Sequence, residues 1–147
     1  MFTHLFFVFV LIVLYICYGY GVDVYSVQVI YYSGCMFVLA LAISYATASI
    51  VVFFRDLSQI IGVVLQVGMW ATPIMWSYTM LPGNLQWILK LNPMFYVVEG
   101  YRNALIYKTW FWDDFYGTAY FWLLTIGLLG LGTAIFNRLK VHFADVL

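Results

Sequence analysis

Formal charge is missing from most of this chain. No Asp, Glu, Lys or Arg occurs from Leu5 to Val22, from Val24 to Phe54, from Leu57 to Leu89, or from Phe115 to Asn137. A Lys, Arg or Asp at the centre of a bilayer-spanning helix costs roughly 2.5–3.5 kcal/mol on insertion scales, so lipid enforces this pattern. Crossing about 30 Å of hydrocarbon takes about 20 apolar residues per helix. The 147 residues therefore have room for about four crossings and for no separate soluble domain. The expected fold class is all-α, a polytopic integral membrane protein.

Composition agrees and excludes other classes. Hydrophobic residues make up 66% of the chain, aromatics 22% and charged residues 8%, where a soluble domain carries about a quarter charged. Zero formal net charge argues against nucleic acid as a partner. Cys17 and Cys35 both fall in apolar runs, where thiols pack as small hydrophobes. His4 and His142 stand apart, without metal-ligand spacing, and no metal or cofactor is expected. There is no HExxH, no G-x-S-x-G and no carboxylate pair within a span, so catalysis has little support. Asp113 and Asp114 are adjacent, so on a helix their side chains would diverge by about 100°.

The expected spans are about 5–22, 29–54, 60–80 and 115–136. The first run begins almost at Met1 without the basic region or cleavage site of a signal peptide, and this abrupt start suggests either a split gene or a fragment whose upstream half is missing. In the second, Ala40/Ser44, Ala42/Ala46 and Ser44/Ala48 place small residues four apart, which lets helix backbones approach closely. Pro73 lies inside the third and is expected to kink it. Gly127, Gly130 and Gly132 lie near the end of the fourth.

Between the third and fourth spans, residues 81–110 are too polar to cross lipid and too apolar for a free loop. Pro82-Gly83-Asn84 reads as a turn. Asn92-Pro93 is a helix-start signal, since Asn caps and Pro suits the first helical position. Glu99 and Arg102 at i,i+3 meet on the helix that follows. The expectation is a re-entrant helical hairpin dipping into one membrane face. Arg55 and the tail cations Arg138 and Lys140 share one side of a four-span chain, which the positive-inside rule makes cytoplasmic; Lys90, Arg102 and Lys108 lie opposite.

Residues 53–107 resemble the permease subunits of ABC-2 exporters, particularly those that move cell-surface polysaccharides. The resemblance is carried by Phe53-Phe54-Arg55-Asp56-Leu57, by Trp70-Ala71-Thr72-Pro73-Ile74, and by Leu91-Asn92-Pro93-Met94 leading into Glu99-Gly100-Tyr101-Arg102. The tail from Arg138 to Leu147 looks like that of teichoic acid translocation permeases. The resemblance implies a six-span permease of which this chain corresponds to spans three to six, lacking the amino-terminal spans. It implies a multi-pass protein of the bacterial plasma membrane, with an ABC ATPase subunit and a second permease copy as partners and lipid-linked polysaccharide as cargo.

By the same resemblance, Arg55, Asp56 and Leu57 belong to a cytoplasmic coupling loop facing the ATPase, while Pro93, Glu99 and Arg102 belong to the external gate. The chain has no G-x-x-x-x-G-K-[ST], so ATP must bind elsewhere. Tyr15, Tyr18, Tyr45, Trp70 and Trp76 are candidates for a sugar path, against the alternative of an ordinary interfacial belt. Arg55 and Asp56 have the alternative reading of a charged membrane edge, and Glu99 and Arg102 that of a surface pair. An inactive fragment or membrane scaffold is the other reading of the whole chain.

Overall fold

A computed structural model describes residues 2–21, 23–51, 54, 56–74, 76 and 78–139, and all regular structure among them is helical. Helix α1 covers Phe2–Cys17 and ends at a turn in which Gly19 takes φ +81°, a conformation that a side chain would strain. One 3₁₀ turn, Val24–Val27, leads into α2, Gln28–Val51. Helix α3 is Leu57–Ala71, α4 is Gly83–Lys90 and α5 is Pro93–Arg102; α5 continues as a π-helical segment, Asn103–Tyr107. Helix α6 is Phe115–Leu139.

Among the described residues, two stretches, Val24–Val51 and Phe115–Arg138, are long and apolar enough to cross a membrane; Phe2–Cys17 and Leu57–Ala71 are apolar but shorter. Within the third expected span, the kink expected at Pro73 is not found. The regular helix does not run on to residue 80 with a kink at Pro73 but stops at Ala71. Proline disfavours the α region for the residue before it, and Thr72 is accordingly extended at φ −86°, ψ 124°. Its hydroxyl donates back to the Gly68 carbonyl at 2.8 Å, capping an orphan acceptor of the last turn. Irregular backbone and a short 3₁₀ turn, Tyr78–Met80, then lead to α4.

The core lies where α2, α5 and α6 meet. Tyr32, Cys35 and Leu39 share one stripe of α2 by their i, i+3, i+7 spacing, and they pack with Tyr96 and Val97 of α5 and Phe121 of α6. Of the small-residue rows in α2, Ala42 and Ala46 turn toward the protein interior while Ala40, Ser44 and Ala48 stay exposed. A Cβ on Gly132 of α6 would stand 3.0 Å from the Ala46 Cα, so these two backbones touch. By contrast, α1 and α3 contain no buried residue.

Polar side chains join the start of α2, the 109–111 backbone, α5 and the first turns of α6. Gln28, at the start of α2 and 3% exposed, holds the 109–111 backbone with both ends of its amide. Its Nε2 donates to the Thr109 carbonyl at 2.9 Å, and its Oε1 accepts from the Phe111 N–H at 2.8 Å. Tyr96 reaches Thr118 of α6 at 2.9 Å, and the Tyr120 hydroxyl donates to the Leu91 carbonyl at 2.8 Å. The segment expected to hold paired short helices is thus two helices, α4 and α5, seated against α6.

Candidate functional site

The residues expected to couple and to gate fall near the two ends of α3. At its start, Asp56 is exposed, keeps helical angles (φ −67°, ψ −20°) and makes no side-chain capping bond. Leu57 opens the helix, its N–H on the Phe54 carbonyl at 3.0 Å. Arg55, the first residue of the expected coupling loop, lies outside the described residues.

The far end of α3 meets the pair of short helices α4 and α5. Asn92 caps α5, its Oδ1 accepting from the Met94 N–H at 3.0 Å with Pro93 in the first helical position, as the Asn-Pro signal requires. The other end of that amide is bound to α3: Nδ2 donates to the Gly68 carbonyl at 3.0 Å and to the Thr72 hydroxyl at 2.9 Å.

About two turns beyond, Glu99 and Arg102 form the expected pair, Nη1 to Oε2 at 3.1 Å. The guanidinium does more than pair. Its Nη2 donates to the carbonyls of Pro73 (2.6 Å), Ile74 (2.9 Å) and Trp76 (3.1 Å), which the break in α3 leaves without helical partners. Hydrogen bonds from a cation are among the strong ones, and irregular backbone at membrane depth persists only when its polar groups are satisfied.

Glu99, Arg102 and the main chain of Trp76 are therefore brought together, while Pro93 sits at the opposite end of the same helix. Tyr45 and Trp70 are not part of that group. Tyr45 packs on Phe136 of α6, ring centroids 5.8 Å apart, and Trp70 points outward from α3 at 75% exposure. Aromatic surface is gathered elsewhere. A cleft of about 310 Å³ opens between α4, α5 and α6, lined by Trp87, Phe95, Tyr96, Trp110, Tyr116 and Tyr120 and edged by Glu99, Asn103 and Asp114. A wider groove of about 610 Å³ places Tyr15 of α1 and Tyr18 of the following turn beside Arg102, Leu105 and Lys108. Such rings beside carboxylates and an amide offer flat apolar faces and hydrogen-bonding edges to a neutral or polar ligand.

The sequence model of the family described as ABC-2 type transporter matches residues 1–106. The chain belongs to the ABC-2 type transporter family. Two curated relatives, both O-antigen export system permease protein RfbA from Klebsiella pneumoniae, are 27% identical to it over 124 and 126 residues. Each match covers 84% of this chain and 46% of the relative, so the chain spans about half the length of the curated relatives it matches. The family match takes in the motifs around Asp56, Pro73 and Asn92, all within residues 1–106. The tail motif beyond Leu139 lies outside the described residues.

Sequence reasoning missed the Gln28 clamp and the second half of Asn92's role. A signal for the first was present: Gln28 is a lone amide opening an otherwise apolar span. In lipid such a group must find partners within the protein. No comparable signal marked the carbonyls that Arg102 holds.

Proposed function

We propose that this ABC-2 chain is the membrane-spanning permease part of an ATP-driven exporter of lipid-linked cell-surface polysaccharide. The observation that carries this reading is the family match across residues 1–106, which spans both the start of α3 and the outer helical pair bonded to its far end. Four spans are proposed, formed by α1, α2, α3 with the irregular 72–80 segment, and α6. Helices α4 and α5 then form a re-entrant hairpin on the outer face. A separate ABC ATPase subunit binds ATP and bears on the loop at Arg55, Asp56 and Leu57. Two permease copies enclose a lateral path in which the cargo's lipid stays in the bilayer and its sugars pass aromatic surface.

The polymer is proposed to be teichoic acid, on the tail motif from Arg138 to Leu147. O-antigen is the second reading, supported by the names of the two relatives.

Topology and transport test this together. A cysteine at Asn84, exposed on α4, labels only from outside the cell. Replacing Arg55 and Asp56 by Ala lowers coupled export while membrane insertion persists. Labelling of position 84 from the cytoplasm, or export indifferent to both substitutions, removes the reading.

A further inference from the structure

Helix α3 buries no residue, so apolar packing does little to set its position against the outer helical pair. What joins them is polar. Asn92 binds Gly68 and Thr72, and Arg102 binds the carbonyls of Pro73, Ile74 and Trp76. Both straps come from α5 and its cap, and both grip the last turn of α3 or the backbone directly after its break. Glu99 locks the guanidinium from the opposite side and balances its charge.

Between Leu57 and Ala71, α3 is an unbroken helix of 15 residues, about 22 Å long. A push at its start therefore reaches the far end without loss in a kink. Pro73 contributes by ending the helix and freeing carbonyls for a cation to grasp. Resting on the permease reading, we infer that Asn92 and Arg102 are the joint through which displacement of α3 moves the outer helical pair. They act as positioning residues, and neither is assigned contact with cargo.

Three substitutions separate this role from simple folding. Asn92→Asp keeps the oxygen that caps Met94 and removes the donor to Gly68 and Thr72. Arg102→Met removes the whole fork, whereas Arg102→Lys keeps the charge with fewer, differently placed donors. The test uses the full permease with its ATPase in membrane vesicles, reading ATP hydrolysis and export of polymer separately. It adds spin labels at Val63 on α3 and Ile88 on α4, exposed positions that read the joint whether or not export is measurable.

Asn92→Asp and Arg102→Met are expected to lower export by about tenfold or more while hydrolysis stays within about twofold. Arg102→Lys is expected to fall between them and wild type. The 63–88 distance distribution should be narrow in the wild type and broad in Asn92→Asp and Arg102→Met. An unchanged distribution in both variants overturns the joint, as does export and hydrolysis falling in equal proportion. Wild-type vesicles that hydrolyse ATP but move no polymer count against the permease reading, and the distance arm still decides whether the straps hold α3.

Discussion

The ring of Tyr32 occupies the space that a side chain on Gly100 would need. A Cβ at position 100 would stand 2.0 Å from the Tyr32 Cε1, and Tyr32 is itself 2% exposed and packed against Tyr96 and Tyr101. Neither partner has room to yield. This contact brings α5 against α2 and so seats the outer helical pair on the long spans. Gly100→Ala should destabilise the protein by about 1–3 kcal/mol, the usual cost of overpacking a filled core. Thermal unfolding in detergent measures it, and shortening Tyr32 to Leu in the same chain should recover part of the loss. An unshifted transition in Gly100→Ala would show that the ring moves aside freely.

Gln28→Leu should be costly for a different reason. It strips the partners from the carbonyl of exposed Thr109 and the N–H of half-buried Phe111, and since a fully buried unsatisfied group costs about 1–3 kcal/mol, the loss is expected near the lower end of that range. Gln28→Glu keeps an acceptor for Phe111 but sets a carboxylate oxygen against the Thr109 carbonyl at a position only 3% exposed, and is expected to cost at least as much as Leu. Unfolding midpoints, together with the emission of Trp110 and Trp112 beside the clamp, report both changes.

The three glycines near the end of α6 should respond differently. A Cβ on Gly132 would meet the Ala46 Cα at 3.0 Å and its backbone nitrogen at 3.1 Å, whereas nothing stands within 4 Å of one on Gly127 or Gly130. Gly132→Leu should therefore lower stability by about 1–3 kcal/mol through forced separation of α2 and α6. The same change at Gly130 should stay within about 0.5 kcal/mol. Equal effects at both positions would mean that the helices do not cross there.

Lys108 and Asp23 form an exposed ion pair that ties the end of the π-helical segment to the turn before α2. The bond to Asp23 raises the Lys108 pKa above its ordinary 10.5. A raised pKa makes the tether's contribution complete below the ordinary lysine value and lost as pH rises through the higher, folded one. No change is expected between neutral pH and the onset of lysine titration. Amine-reactivity titration should place the Lys108 midpoint lower in Asp23→Asn than in the parent, and an identical midpoint would mean the pair does not form in solution.

Much of this protein could be read one residue at a time. Confinement of charge to the membrane edges follows from a solvation cost that each side chain meets by itself, so a linear scan finds the apolar runs that became α1, α2, α3 and α6. Short-range chemistry was equally legible: Asn92 before Pro93 started α5, and Glu99 met Arg102 because a helix brings i and i+3 together. The stop at Ala71 lay at the limit of such reading. Pro73 disfavours helix at Thr72, but the choice between kink and end depended on whether something would hold the freed carbonyls.

That something is Arg102, 26 to 29 residues further on. Its reach to Pro73, like that of Gln28 to Phe111 and the contact of Gly132 with Ala46, exists only once helices have been placed side by side. Hydropathy and helical period describe a segment against its solvent and carry no term for the angle or register between two segments. Chain chemistry alone therefore decided that this polypeptide enters lipid as helices; which glycine touches a backbone, and which cation closes a broken helix, were settled by packing in three dimensions.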